Sequence, residues 1–354
     1  MKILHLPTSM AGNAWGLSRG ERKLGLESDV LIAYDTYLKY PADKVIFTKN
    51  PQIFDIFKLS KEIFSILGKY DVYHFNYGST LIDAPKLGIN LLDLPLFKRY
   101  GKIVVTYSGC DARQKYPTID RTPLSACQLD NCYNGVCMDG RQDNIRRKRI
   151  KKFDKYADGI FALNPDLLRF LPERAIFLPY VVAGWDRIYP LPYSAPTGKI
   201  KIVHAPTNRV AKGTHIIISV INRLQKEYKD RIELVLIENR SHDEALAIYK
   251  SADLVIDQIL IGWYGSFAVE MMKLGKPVIS FIREEDLSLI SSEMANGCLK
   301  AVINVKPDIL YKCLKDIIEN PKLLIEYQRN AERYVNQWHN PEYVAGIAKK
   351  VYET

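Results

Sequence analysis

Asp257-Gln-Ile-Leu-Ile-Gly-Trp-Tyr-Gly-Ser-Phe-Ala-Val-Glu-Met-Met-Lys-Leu-Gly-Lys-Pro-Val-Ile279 decides the fold of this chain. An apolar strand is expected to end at Asp257, and a loop carrying Gly262 and Gly265 follows. Ser266 is of the residue type that caps a helix, so a helix is expected from there to Leu274. Its first free N–H groups and its dipole form a site for an anion, above all a phosphate. Glu270 lies about one turn further in, where its carboxylate can accept hydrogen bonds from sugar hydroxyls. Gly275-Lys-Pro stops the helix, and Pro277–Phe281 starts the next strand.

The same alternation runs through the chain. In the first half, strands are expected at Lys2–Leu6, Asp29–Ala33, Asp71–Phe75, Lys102–Thr106, Gly159–Leu163 and Ala175–Leu178. Helices are expected at Leu17–Leu26, Ile53–Leu67, Ala84–Tyr100, Asn144–Tyr156 and Pro165–Phe170. A Pro-rich stretch, Tyr189–Gly198, reads as a linker. Beyond it come strands at Lys201–Ala205, Ile232–Ile237 and Asp253–Asp257, and helices at Gly213–Lys229 and His242–Ser251. A long helical stretch runs from about Pro321 and breaks near Asn340-Pro341. Strand–helix–strand alternation implies parallel sheets covered on both faces. The expected division is an N-terminal domain at 1–188, a second domain at 189–336 and a terminal helix at 337–354 that packs back on the first.

Ile202-Val-His-Ala-Pro-Thr-Asn-Arg-Val-Ala-Lys-Gly-Thr214 is a strand running into a loop with Arg209 and Lys212. Fixed cations at a strand end stabilise a leaving group that gains negative charge. Together the two stretches resemble the retaining GT-B glycosyltransferases, the group that includes glycogen and sucrose synthases. The resemblance implies an α/β GT-B architecture of two Rossmann-like domains facing across a cleft. It implies transfer of a hexosyl group from a UDP- or GDP-sugar to a glycan or lipid-linked acceptor, with retention, as in polysaccharide biosynthesis. Glu270 then matches the residue that holds the nucleotide ribose, and Arg209 and Lys212 match the cations on the diphosphate. The group usually has a second Glu where this chain has Gly262. Trp263 and Tyr264 are therefore candidates for stacking on the donor sugar. Gly265, Ser266 and Phe267 complete the donor-binding set.

The first half carries weaker signals. Gly12 and Gly16, after the first strand, permit close approach of backbone to a ligand and match the group's first loop. His74 lies in Asp71–Gly78, a strand feeding a loop, and is an acceptor-side candidate, as is Arg113. Val104–Arg113 resembles the group's strand followed by His-Gly-x-Asp, with Ser108 in place of the His and Asp111 as the remaining catalytic candidate. Asn164 follows the Gly159–Leu163 strand. No Asp-x-Asp element ends a strand, so no metal cofactor is expected for catalysis. The alternatives are a sugar-nucleotide epimerase or hydrolase on the same fold, and a nucleotide- or glycan-binding protein that has lost catalysis.

Composition bounds the rest. The chain has 354 residues, 47 % of them hydrophobic, and a net charge of +10 from 50 Lys+Arg and 40 Asp+Glu. Such a charge favours an anionic partner: nucleic acid, acidic lipid or phosphorylated sugar. No recognisable nucleic-acid module is present, so nucleic acid is not expected. No apolar run is long enough to span a membrane, and the N-terminus reads as a strand, so a cytoplasmic location is expected. Arg146-Arg-Lys-Arg-Ile-Lys-Lys152 puts six cations in seven positions. That run suggests peripheral attachment to anionic lipid at the inner face of the membrane. Cys110, Cys127, Cys132 and Cys137 are candidates for a structural zinc.

Overall fold

The computed structural model describes residues 1–47, 55–192 and 194–354, without the side chains of Ile56 and Lys86. From the amino end it runs β1 (Lys2–Leu6), α1 (Asn13–Lys23), β2 (Glu27–Tyr34), β3 (Lys44–Phe47), α2 (Asp55–Ile66), β4 (Val72–Asn76), α3 (Leu94–Lys98), β5 (Lys102–Tyr107), α4 (Lys115–Arg121), α5 (Arg141–Tyr156), β6 (Gly159–Ala162) and β7 (Ile176–Phe177). It continues with β8 (Ile200–His204), α6 (Arg209–Lys212), α7 (Thr214–Tyr228), β9 (Ile232–Leu236), α8 (His242–Tyr249), β10 (Leu254–Gly262), α9 (Ser266–Lys273), β11 (Val278–Ile282), α10 (Ser292–Ala301), β12 (Val302–Asn304), α11 (Leu310–Glu319), α12 (Leu323–Trp338) and α13 (Pro341–Glu353).

These elements form two compact units. The first contains residues 1–114, 140–183 and 340–354. Among the described residues it has one parallel sheet in the order β3-β2-β1-β4-β5-β6-β7. Strands β4 and β6 are buried along their whole length, because helices cover both faces of a parallel sheet. Helix α13 packs on α1, and Gly20 makes that possible: any side chain there would collide with the Pro341 carbonyl.

The second unit contains residues 115–139 and 184–339. Its parallel sheet has the order β12-β11-β10-β8-β9. Strands β8 and β10 are neighbours, so their carboxyl-end loops open on the same side of the sheet. Residues 115–139 belong to this unit, whereas the expected boundary placed them in the first. Ala126 lies in this unit's apolar core, with Leu124, Leu129 and Cys132 packed against it.

Several expectations need correction. The Ala84–Tyr100 stretch is mostly turns, with helix only at α3. Pro85, Gly88 in the left-handed region and Pro95 interrupt any longer helix. Strand β10 does not stop at Asp257 but continues to Gly262 with register shifts against β11. Strands β3 and β12 and helices α10 and α11 have no counterpart among the expected elements; both strands are short and lie at sheet edges. Residues 53 and 54 of the expected Ile53–Leu67 helix, and Tyr193 of the linker, lie outside the described residues.

Candidate functional site

The loops after β8 and β10 bring a set of charged side chains together within the second unit. After β8, Asn208 caps α6, its side-chain oxygen accepting the Ala211 N–H at 2.8 Å. This four-residue helix starts at Arg209 and ends at Lys212. Gly213 then joins it to α7 with φ +77°, in the left-handed region. A Cβ at Gly213 would also sit 2.6 Å from Ile259. No other residue type fits this junction.

Lys212 points to β10. Its ammonium donates to the Asp257 carboxylate at 2.6 Å, and the other oxygen of Asp257 accepts the Gly265 N–H at 2.7 Å. One buried carboxylate thus ties the cation to the residue that opens α9. Gly265 is the N-cap of that helix, in place of the expected Ser266, and no side chain caps it. Its backbone is extended (φ −103°), so conformation does not demand glycine. A Cβ there would lie 3.4 Å from the Lys212 ammonium. The neighbouring Gln258 shapes the loop. Its amide NH2 donates to the Trp263 and Phe281 carbonyls and to Ser280, and its oxygen accepts the Leu260 and Ile261 N–H groups. A buried amide so thoroughly bonded fixes the bulged end of β10.

Glu270 is 3 % exposed on α9. Its Oε1 is 2.6 Å from Nε2 of His242, the first residue of α8. Its Oε2 has no hydrogen-bond partner among the described residues. Burial alone would lower the His242 pKa. The hydrogen bond and charge of Glu270, helped by Asp243, outweigh burial and raise it. Arg209 is more open, 56 % exposed at its side chain. Its Nε donates to Glu238, in the loop after β9, at 2.8 Å, and a second guanidinium nitrogen bonds the same carboxylate. Beneath the loops, His204 bridges the Ile256 carbonyl at 2.7 Å and the Thr214 hydroxyl at 2.8 Å. Burial pushes its pKa down to about 4.

Other candidates are placed differently. Trp263 and Tyr264 are buried and stacked on one another, with centroids 4.4 Å apart. The Tyr264 hydroxyl is spent on Tyr334 and His339. Neither offers a face to a sugar, which corrects the stacking expectation. The Phe267 ring packs on Tyr249 at 4.9 Å. At Gly262 the space a side chain would fill is taken by the Arg283 guanidinium, 2.7 Å from where a Cβ would stand.

In the first unit, Gly12 and Gly16 have a packing reason. A Cβ at Gly12 would lie 2.7 Å from that of Ala183, and one at Gly16 would lie 2.8 Å from Val181. That removes the basis for placing a ligand against them. His74 is fully buried. Its ring nitrogens are 2.7 Å from the Tyr352 hydroxyl and 2.6 Å from the Thr106 hydroxyl, so it is not an acceptor-side group. Arg113 makes a buried two-pronged pair with Asp166, at 2.6 and 2.9 Å. It too is withdrawn from an acceptor. Asp111 accepts the Ser108 and Gly109 N–H groups and holds the turn after β5. Burial raises its pKa. Those contacts give it a part in shaping that turn. Asn164 is bonded to Tyr180 at 2.7 Å.

The zinc expectation concerned Cys110, Cys127, Cys132 and Cys137. Among the described residues, one group has potential metal-binding atoms within 4.8 Å of one another: His5, Glu21 and His74. Within the second unit, Cys127, Cys132 and Cys137 form no such group. In the second unit Cys132 packs against the apolar core. The cationic run is largely spent on α5's own neighbours. Arg146 pairs with Asp143, Arg147 bonds Gln114, Arg149 pairs with Asp83 and bonds the Gly78 carbonyl, and Lys152 bonds the Asn90 carbonyl. Lys148 and Lys151 remain exposed.

The architecture of the whole chain recurs in known proteins. Sucrose-phosphate synthase from Thermosynechococcus elongatus superposes with a TM-score of 0.61, at 16 % identity, over 100 % of this chain and 98 % of that one. HepE from Anabaena, solved with UDP and glucose, gives 0.61 at 13 % identity over the full length of both. The fold is GT-B. UDP-GlcNAc 2-epimerase from Neisseria meningitidis, solved with UDP-GlcNAc, superposes with a TM-score of 0.51 at 14 % identity over 99 % of each chain. GT-B enzymes of both kinds, transferases and epimerases, thus share this architecture. No family model and no curated protein sequence matches the chain. No helix among the described residues is long and apolar enough to cross a membrane.

Proposed function

We propose that this GT-B chain is a glycosyltransferase that takes a hexosyl group from a nucleotide-sugar donor, a UDP- or GDP-sugar, and that the second unit holds the donor. One observation carries the reading: Asp257 joins the Lys212 ammonium to Gly265, at the amino end of the helix that carries Glu270. A lysine ammonium has three N–H donors and Asp257 takes one of them, which leaves two for phosphate oxygens. Free amides at the start of α9 add to the same anionic site. Glu270, with one oxygen bonded to His242, turns its other oxygen to a ribose hydroxyl. Arg209 has five N–H donors, of which Glu238 takes two, and its remaining N–H groups are proposed for the diphosphate.

As the glycosidic bond breaks, charge accumulates on the leaving diphosphate. Lys212, Arg209 and the α9 dipole oppose it without protein rearrangement, which lowers the barrier rather than only tightening substrate binding. Retention of configuration, a glycan or lipid-linked acceptor, a part in polysaccharide biosynthesis and independence of a metal are proposed from the motif likeness alone. The epimerase-like fold supports a second reading, chemistry on the nucleotide sugar without an acceptor.

The experiment is a panel of UDP- and GDP-sugars, first for binding by calorimetry and then for turnover with and without added glycan acceptors. Acceptor-dependent release of the nucleoside diphosphate supports transfer. Conversion of UDP-GlcNAc with no acceptor supports the second reading. Failure of every nucleoside diphosphate to bind would overturn both.

A further inference from the structure

Helix α2 in the first unit has two apolar faces. One side, with Ile63 and Ile66 buried and Leu59 packed beside them, faces the core. On the other side Phe57 is 78 % exposed and Phe64 is 73 % exposed. Seven residues apart on a helix, they project from the same stripe, with Lys61 between them. Exposed single apolar residues are ordinary, but paired phenylalanines on the solvent stripe of one helix are not. Folding has already satisfied the apolar requirement of this helix, so the second face is present for something outside the unit.

The charges around that face point to its chemistry. Lys58 and Lys61 are exposed; the Lys58 ammonium lies 5.2 Å from the centroid of the Phe47 ring, while Lys61 has no ion pair among the described residues. Of the two acids on this helix, Glu62 is occupied by Lys44, with contacts of 2.5 and 2.7 Å, and Asp55 stands in the first turn with an interaction of its own. The outward stripe is therefore aromatic and cationic. An amphipathic helix with Phe on one stripe and Lys beside it suits the boundary between acyl chains and anionic headgroups. The chain's net charge of +10 acts in the same direction. By contrast, four of the six cations at 146–152 are tied to internal partners.

We propose that α2, through Phe57, Phe64, Lys58 and Lys61, is a docking face for an anionic lipid surface. It replaces the 146–152 run as the membrane-facing element. The proposal stands independently of the donor site.

Co-sedimentation with vesicles tests it, using phosphatidylcholine alone and phosphatidylcholine mixed with phosphatidylglycerol. Wild-type protein should pellet with the mixed vesicles and stay in solution with the neutral ones. The F57S/F64S double variant should lose about tenfold or more of its partitioning, because the interface no longer receives two rings. A second variant, K61E, keeps both rings and should also weaken binding to mixed vesicles. The control K148A/K151A should bind like wild type. Wild type remaining in solution with mixed vesicles, equal binding to both vesicle types, or unchanged binding by F57S/F64S and K61E would each overturn the proposal. So would loss of binding in K148A/K151A. A wild-type dimer that F57S/F64S converts to monomer, with no vesicle binding by either, would overturn it in favour of a second copy on this face.

Discussion

Two buried histidine–glutamate pairs stand at equivalent depth in the two units, and they do different things. In the first unit, Glu21 on α1 is 2.8 Å from His5 on β1. The same oxygen accepts the Ser28 hydroxyl at 2.6 Å, and the other accepts Tyr352 from α13 at 2.7 Å. Tyr352 in turn reaches His74, and His74 reaches Thr106. Burial alone would raise the Glu21 pKa, but the charge and hydrogen bond of His5, with Ser28 and Tyr352, lower it. In the second unit, Glu270 has one oxygen on His242 and the other without a partner among the described residues. Residue types are the same and both pairs are buried. The difference is whether folding gave both carboxylate oxygens a partner, because a carboxylate engaged at both oxygens holds structure while one with a whole oxygen to spare can hold a ligand.

The largest expected effect breaks the closed pair. Glu21→Ala leaves His5, Ser28 and Tyr352 without their shared acceptor, and should lower unfolding free energy by about 3–5 kcal/mol. Urea unfolding measures it. A loss under about 1 kcal/mol would mean the network is not holding α13 to the sheet.

Next, Lys212→Ala should reduce turnover about 10²- to 10³-fold, with a smaller effect on nucleoside diphosphate affinity, since the charge it meets grows in the transition state. Equal losses in both, from single-turnover kinetics and calorimetry, would assign Lys212 to ground-state binding only.

Acid stability comes third. Burial holds His204 down to about 4, while an unfolded histidine titrates near 6.5. Between those values the unfolded chain binds the extra proton, so stability falls as pH drops through this window and is unaffected by the group above it. By pH 4 the loss is at most about 3 kcal/mol. Unfolding curves across that range should be flatter for His204→Asn than for wild type. Parallel curves would count against the assignment.

The smallest effect sharpens the comparison. Glu270→Ala should leave a folded protein and weaken binding of the nucleoside diphosphate by about 1–3 kcal/mol. If calorimetry finds affinity unchanged in a folded variant, Glu270 is as structural as Glu21, and the donor-site reading loses its support.

What the sequence determined by itself follows from local physics. The alternation of apolar strands and amphipathic helices settled two parallel α/β units, because that pattern can bury its faces in few other ways. The glycines and prolines of 202–214 and 257–279 marked the loops and helices that carry Lys212 and Glu270, since turn chemistry is written over a few neighbouring residues, although β10 runs on to Gly262 and Gly265 is the N-cap of α9. Tertiary structure decided the rest. His242 lies 28 positions from Glu270, and no local signal could pair them. Asp257 was visible as a charge ending an apolar run, but its double grip on Lys212 and Gly265 needed the packing of β8 against β10. Trp263 and Tyr264 looked available and are buried because β10 continues to Gly262 and carries them inward. The cationic run at 146–152 looked free until Asp83, Asn90 and Gln114 came to meet it from distant positions. Spacing along a chain reports which face of an element a residue occupies; only the fold reports what stands opposite.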